Sequence, residues 1–134
     1  MQEGDDTAVV QPVLAALESM DPIEIQEFED ILVRKLHDLD GRAWARESGD
    51  GVWWGEDSLS VDGFLYARCV VVANGEEFYE AVRNDPKQMP KNMEFESLLY
   101  ISPNAYERKT GKELDRDRFV SYETFSNRDG WVRP

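Results

Sequence analysis

The chain has 134 residues, a length that suits one domain with its own core, and its content of 41% hydrophobic and 32% charged residues fits a folded globule. It carries 28 Asp and Glu side chains against 15 Lys and Arg, a net charge of −13. Phosphate binding needs clustered basic residues, and a membrane span needs a long apolar run. The sequence has neither, so we expect no nucleic-acid partner and no membrane partner.

The negative charge is concentrated in the amino-terminal half. Residues 1–60 hold fifteen Asp and Glu against four Lys and Arg, whereas residues 61–134 hold thirteen against eleven. A field of one sign at one end of a protein steers a partner of the opposite sign toward it. The distribution therefore favours a protein partner with a basic surface.

The first elements in chain order are an acidic leader and two helices. Residues 1–7 are acidic and polar, unlike a signal peptide, and are expected to be flexible. A helix follows that begins near Ala8 or at Gln11, because Pro12 is tolerated only in a first turn. The second helix has Asp21 as N-cap and Pro22 at its first position, and Glu24 completes a capping box.

The second helix is predicted to have one buried and one acidic face. The spacing of three and four residues marks the buried stripe, which consists of Ile25, Phe28, Ile31, Leu32, Leu36 and Leu39. The opposite face is mostly acidic and consists of Glu24, Glu27, Glu29, Asp30, Arg34 and Asp38. Gly41 interrupts the pattern, and Arg42–Glu47 is a further helical turn that carries Trp44.

The middle of the chain is predicted to hold a loop and then the central helix. Residues 48–60 are rich in glycine and acidic residues around a tryptophan pair, which is typical of a loop. Ser60 can cap a helix that continues through Ala73, with Asp62 in its first turn. The segment is apolar nearly all round, which indicates a buried helix. The triplet Val70-Val71-Val72 favours strand, but the length and the cap favour helix.

The remaining elements are shorter. We expect a helix over Glu76–Asn84 with one apolar side, a proline-bracketed loop over residues 85–90, and a short helix or a strand over residues 93–101. Ser102 is predicted to cap a helix that Gly111 ends after Thr110. The fold class is therefore mainly α, a compact bundle of about five to six helices around a buried central helix at residues 60–73. Short β elements are allowed in the C-terminal tail, which can equally form a peripheral wrap.

These elements predict a single domain and a cytoplasmic, soluble protein. Residues 8–114 form the helical core in this interpretation, and residues 115–134 form a peripheral tail. Cys69 is the single cysteine, so it cannot form an internal disulfide. Its apolar neighbours predict a buried, inert thiol, which fits a reducing compartment.

The sequence contains no pattern that specifies a reaction. His37 is the only histidine and is expected to face solvent, so it offers little basis for a catalytic triad. The chain has no HExxH or CxxC motif and no GxGxxG or GxxxxGK motif. We therefore expect no catalytic residue, no metal and no cofactor, and a protein that is not an enzyme.

The residues with the best claim to bind a partner are acidic or aromatic. Large aromatic side chains are enriched at interface hot spots, although a tryptophan in a loop can also fold inward over the core. Carboxylates on a helix face can steer a partner, and they can also serve solubility alone. The candidates are Glu27, Asp30, Asp50, Trp53, Trp54, Glu56 and Asp57.

Several motifs of the chain occur in a specific order. They are Ser60-Val-Asp62-Gly63-Phe64-Leu-Tyr66-Ala-Arg68, then Gly75-Glu-Glu-Phe78-Tyr-Glu-Ala81 and Asp85-Pro86, and finally Leu98-Leu99-Tyr100, Ala105-Tyr106-Glu107 and Thr110-Gly111. This order resembles the DUF4240 family of small bacterial proteins and covers about residues 21–114. The chain departs from the family pattern at Val61, in the Gly/Trp loop and in its longer tail. We therefore expect residues 48–58 and 115–134 to form surfaces that are specific to this chain.

The resemblance implies a mainly helical domain and supplies no activity. Within the motif, a capping role explains Ser60 and Asp62, close backbone approach explains Gly63, and Arg68 is expected to pair with Asp62 or another carboxylate inside the fold. Phe64 completes the family motif. A structural role for these residues is favoured over a site.

Three hypotheses for function follow from these observations. The leading one is an acidic inhibitor, most concretely an immunity protein that occludes the basic active site of a bacterial toxin. The second is a ligand-binding or enzymatic domain with a pocket around Ser60, Asp62, Tyr66 and Arg68. The third is a regulatory or scaffold domain. The sequence does not indicate an oligomeric state.

Overall fold

The chain is mainly helical, as predicted. The computed structural model describes residues 6–55, 58–116 and 120–132. No helix in these ranges is both long enough and apolar enough to cross a bilayer. The described residues form six α-helices, which are α1 (Asp6–Glu18), α2 (Pro22–Asp38), α3 (Arg42–Ala45), α4 (Val61–Ala73), α5 (Glu76–Asn84) and α6 (Ile101–Thr110).

The β structure lies just before α4 rather than in the tail. Strand β1 (Trp53–Gly55) pairs antiparallel with β2 (Ser58–Leu59), and Trp53 lies opposite Leu59. This hairpin falls inside the segment that the sequence predicts as a loop. In the tail, residues 120–132 form a 3₁₀ helix over Arg128–Trp131 and no strand.

Helix α1 begins earlier than either predicted start. It already includes Asp6, so Pro12 is its seventh residue and lies in the helix interior. The expectation that Pro12 must occupy a first turn was therefore wrong. Leu14 and Leu17 are buried in the core cluster that also holds Ala105 of α6, and this packing outweighs one missing helix hydrogen bond. Of the predicted flexible leader, residues 1–5 lie outside the described residues, whereas residues 6 and 7 are helical.

Helix α2 has the predicted cap and most of the predicted stripe. The Asp21 side chain accepts a hydrogen bond from the backbone N–H of Glu24, and the Glu24 side chain accepts one from that of Asp21. Ile31 was wrongly assigned to the buried stripe, because it is 57% exposed. It lies about 100° around the helix from Leu32, and more than half of its surface is open to solvent.

Helix α4 is the buried central helix that the sequence predicts. Ser60 caps it, with its Oγ accepting a hydrogen bond from the backbone N–H of Gly63 at 3.0 Å. One core cluster holds Cys69 and Val70, and a second holds Phe64 and Val71. The valine triplet stays helical because both sides of the helix are packed. The triplet's strand preference is therefore overridden by tertiary burial.

The remaining elements agree with the sequence in part. Helix α5 has the predicted bounds, and α6 ends at Gly111, which adopts φ +73°. Residues 93–101, predicted as a short helix or a strand, contain instead a 3₁₀ helix over Glu96–Tyr100. Ser102 does not cap α6, because it is the second residue of that helix and is fully buried.

Candidate functional site

The outer face of α2 exposes two isoleucines among carboxylates. Ile23 is 72% exposed and Ile31 is 57% exposed, and Glu24 and Glu27 are exposed beside them. Residues 23, 27 and 31 are four apart, so they follow one another along a single side of the helix. We call Ile23, Glu24, Glu27 and Ile31 the α2 face. It combines an apolar surface with two negative charges.

The helix that carries this face is held firmly. The reciprocal bonds of the capping box measure 3.0 Å to the Asp21 carboxylate and 3.2 Å to the Glu24 carboxylate. On the opposite side Ile25 and Leu36 are completely buried. The α2 face is therefore held in place by the cap and by the core beneath it.

The predicted acidic face is smaller in the structure than in the sequence. Glu27 is exposed as expected, whereas Asp30 is half-buried and accepts a hydrogen bond from Gln26 Nε2 at 3.3 Å. Glu29 was wrongly assigned to this face, because it is only 1% exposed. Its carboxylate accepts a hydrogen bond from Ser102 Oγ at 3.0 Å, and Arg116 Nε lies 3.7 Å away. Burial raises the pKa of Glu29 above its ordinary value.

The carboxyl-terminal part of α2 carries charges of both signs. A groove of about 320 Å³ separates it from α5. In this groove Arg83 lies 3.4 Å from Glu80 as an ion pair. The acidic surplus of α2 therefore lies toward its amino-terminal half. The groove is lined by Asp30, Ile31, Arg34, Lys35, Asp38, Tyr79, Glu80 and Arg83.

An apolar pocket of about 280 Å³ adjoins the α2 face. Ile31 belongs to both, since it is exposed on the face and also lines the pocket. Lys35 and Glu76 form an ion pair at the polar end of the pocket, and Lys35 Nζ lies 4.2 Å from the centre of the Tyr79 ring. The remaining walls are almost entirely aliphatic or aromatic and include Val13, Phe28, Leu32, Val72, Ala73, Phe95, Leu98 and Ile101.

The two loop tryptophans point in different directions. Trp53 is half-buried and packs on the core cluster around Leu39 and Phe64, whereas Trp54 is 63% exposed. Trp53 therefore fits the interpretation of a ring folded inward over the core, and Trp54 fits that of a ring available to a partner. Asp50 is exposed ahead of the hairpin. The other two acidic candidates of this loop, Glu56 and Asp57, lie outside the described residues.

The family motif forms the start of α4. A Cβ at Gly63 would lie 2.9 Å from Ser60 Oγ, so only glycine lets the cap approach this closely. Phe64 is completely buried, and Asp62 is exposed in the first turn. Tyr66 is half-buried, and its backbone carbonyl accepts a hydrogen bond from the N–H of Phe95 at 3.1 Å. These contacts give the motif a structural role.

Arg68 is fully buried and bonds to groups other than a carboxylate. Its guanidinium donates to the carbonyl of Leu36 at 2.8 Å and to Thr124 Oγ1 at 3.0 Å, and it stacks 4.6 Å from the centre of the Phe64 ring. Burial lowers the pKa of Arg68 to about 10. Asp62 is exposed, so the expected ion pair with Arg68 is not what holds the guanidinium. None of the four residues of the pocket hypothesis (Ser60, Asp62, Tyr66 and Arg68) lines the apolar pocket or the charged groove.

Sequence reasoning missed Asp40, which organises the C-terminal tail. Its buried carboxylate accepts hydrogen bonds from the backbone N–H of Phe125 at 3.1 Å, that of Asn127 at 2.9 Å and Trp131 Nε1 at 2.8 Å. The negative charge also acts favourably on the Arg68 guanidinium. Asp40 stands before Gly41, a pair typical of a turn, so no local signal distinguishes it.

The other two candidate reactive groups, His37 and Cys69, contact other parts of the fold. His37 is half-buried at the surface, and its Nδ1 lies 2.9 Å from the carbonyl oxygen of Ser121 in the tail. Cys69 is completely buried, and burial raises the pKa of its thiol to about 12. Across the part of the chain that the structure describes, no three His, Cys, Asp or Glu side chains gather where they could hold a metal ion.

Comparison with known proteins identifies a family. Residues 1–108 match the family described as "Protein of unknown function (DUF4240)". No curated protein and no solved structure is significantly similar to the chain. The match includes the cap of α4 and Arg68, and it stops before the tail segment that Arg68 and Asp40 bind. The chain belongs to the DUF4240 family.

Proposed function

We propose that this protein binds and neutralises a basic protein partner, and most concretely that it is an immunity protein for a bacterial toxin. The observation that carries the proposal is the α2 face, where Ile23 and Ile31 are exposed among Glu24 and Glu27. The inhibitor acts by covering the toxin's cationic site and needs no catalytic residue of its own.

The composition of the α2 face fits an interface better than an ordinary surface. A β-branched aliphatic side chain that is more than half exposed has apolar area available for burial, worth about 25 cal/mol per Å² once a partner covers it. Two such residues lie about two turns apart on the outer side of one helix, Ile31 being rotated about 80° around the axis from Ile23. Glu27 lies between the two isoleucines along the helix, so the same surface offers apolar area and negative charge.

The charges on and around this face favour a basic partner. Glu27 is exposed, and the whole chain carries a net charge of −13. Complementary charge raises the rate of association and discriminates against acidic partners. Toxins that cleave nucleic acid or handle nucleotides have basic sites for phosphate, so an acidic inhibitor suits them.

In this proposal the hairpin provides a second anchor. Trp54 is 63% exposed in the middle of strand β1, and Asp50 is exposed close by in the chain. Tryptophan is the residue most enriched among binding hot spots. In this proposal the Trp54 ring fills an apolar pocket of the toxin while Asp50 faces its basic rim.

The proposal is tested with the protein encoded next to this chain on the chromosome. We would co-express the two, purify the complex and measure the dissociation constant by calorimetry at 50 and 300 mM NaCl. Ile23→Ser combined with Ile31→Ser is expected to weaken binding at least tenfold, since each lost apolar contact is worth on the order of 1 kcal/mol. Trp54→Ser is expected to weaken it further.

The electrostatic part of the proposal has its own matched pair of variants. Glu27→Lys should weaken binding about tenfold at 50 mM NaCl and reduce the salt dependence. Glu107→Lys makes the same change of charge at an exposed position of α6 and should leave affinity within about twofold. Equal losses for the two variants, or full affinity of the double isoleucine variant, would contradict the role of the α2 face.

A further inference from the structure

A separate feature of the molecule is the apolar pocket beside the α2 face. Its walls come from five helices (α1, α2, α4, α5 and α6) and from the 3₁₀ segment before α6, and they include Val13 from α1, Phe28 from α2, Val72 from α4 and Leu98 from the 3₁₀ helix. At about 280 Å³ it is slightly below the usual range of ligand pockets. The pocket can therefore accept a small apolar molecule or chain, and it is too small for a large cofactor.

The polar groups of the pocket are confined to one end. The Tyr79 hydroxyl donates to the backbone carbonyl of Lys35 at 3.0 Å, so it is already committed to the fold. The charged pair at this end is Lys35 and Glu76. The Lys35 side chain is 25% exposed, whereas that of Glu76 is 66% exposed.

This difference in exposure indicates that Glu76, rather than Lys35, can be displaced from the ion pair. An ammonium group has three protons to donate, so Lys35 can bind a second anion. The Glu76 carboxylate can move into water at little cost, because most of it is already solvated and exposed ion pairs are weak. An anion that arrives with an apolar chain gains both the ammonium and the apolar walls.

We propose that this pocket binds a medium-chain carboxylic acid, with the chain among the apolar walls and the carboxylate on Lys35 Nζ. The inference does not depend on the α2 face binding a protein partner, since a small ligand needs only the pocket. The ligand class follows from one cation at the end of an otherwise apolar cavity of limited volume.

The probe is decanoate at concentrations below its micelle formation, titrated into the full chain by calorimetry. We expect saturable binding of one molecule, with affinity rising about fourfold per methylene from hexanoate to decanoate. Decanol, which lacks the charge, should bind at least tenfold more weakly. Absence of saturable binding up to 1 mM decanoate, or equal affinity for decanol, would overturn the proposal.

Variants assign the binding to this pocket. Lys35→Met should weaken decanoate binding at least tenfold, whereas Lys91→Met, which removes a lysine paired with Glu47 at 3.3 Å elsewhere on the surface, should leave it within twofold. Ala73→Leu fills part of the pocket and should abolish binding of decanoate, and Glu76→Gln removes the competing carboxylate and should tighten it. Equal effects of the two lysine variants would overturn the site.

Discussion

The buried carboxylate of Asp40 provides the sharpest test of how the tail is held. The isosteric change Asp40→Asn keeps the volume but replaces one acceptor oxygen with an NH₂ group. If the remaining oxygen stays at the Oδ1 position, it can still accept from the N–H of Phe125 and from Trp131 Nε1. The new NH₂ group would then face the N–H of Asn127, and two donors cannot bond to each other.

The size of the effect can be worked out from these contacts. One buried donor left without an acceptor costs about 1–3 kcal/mol. The loss of the negative charge removes a favourable interaction with the Arg68 guanidinium, which is itself 0% exposed. We expect Asp40→Asn to lower the free energy of unfolding by about 2–3 kcal/mol, mainly through the unpaired N–H of Asn127.

The measurement is urea unfolding followed by circular dichroism, together with thermal unfolding, where a loss of this size lowers Tm by about 10 °C. Asp38→Asn is the matched control, because it makes the same chemical change at an exposed position two residues away. Its effect should stay below about 0.5 kcal/mol. An Asp40→Asn protein as stable as this control would refute the idea that Asp40 anchors the tail.

Three further predictions follow from buried groups. Burial raises the pKa of Glu29, so ionisation of Glu29 destabilises the folded state at neutral pH. Glu29→Gln should raise Tm at pH 7. This gain in Tm should vanish at a pH below 4.5, the ordinary pKa of Glu, where both side chains are neutral. A gain of equal size in the two pH ranges would contradict this reasoning. Cys69 should react with a thiol reagent only as fast as the protein unfolds, which a comparison of native and urea-unfolded rates measures. Gly130→Ala would place a Cβ 2.3 Å from the carbonyl oxygen of Asp40 and should lower Tm by several degrees; an unchanged Tm would contradict this close contact.

Elements that are determined by neighbouring residues could be predicted from the sequence. The capping box at Asp21 and Glu24, the serine cap of α4 and the stop at Gly111 each need only three or four consecutive residues. The buried character of α4 also follows from its own composition. These local signals were sufficient to predict a mainly α fold with a central helix.

Features that depend on distant residues could not be predicted. Glu29 lies in an acidic run, and only its contact with Ser102, 73 residues away, shows that it belongs inside the fold. Asp40 receives its three donors from residues 85 to 91 positions further along the chain. Pro12 is tolerated inside α1 because of packing that its own helix does not encode. In each case tertiary contact overrides a local preference.

The same distinction decides how the charge asymmetry should be interpreted. Glu29 and Asp40 contribute two of the fifteen acidic residues of the amino-terminal half, but both are buried and neither can steer a partner. Glu24 is exposed but is used in part by the capping box. Glu27 on α2 and Asp50 before the hairpin remain as exposed candidates without such a role. A binding function therefore depends less on the total charge than on where these carboxylates adjoin exposed apolar side chains, which are Ile23 and Ile31 on α2 and Trp54 on the hairpin.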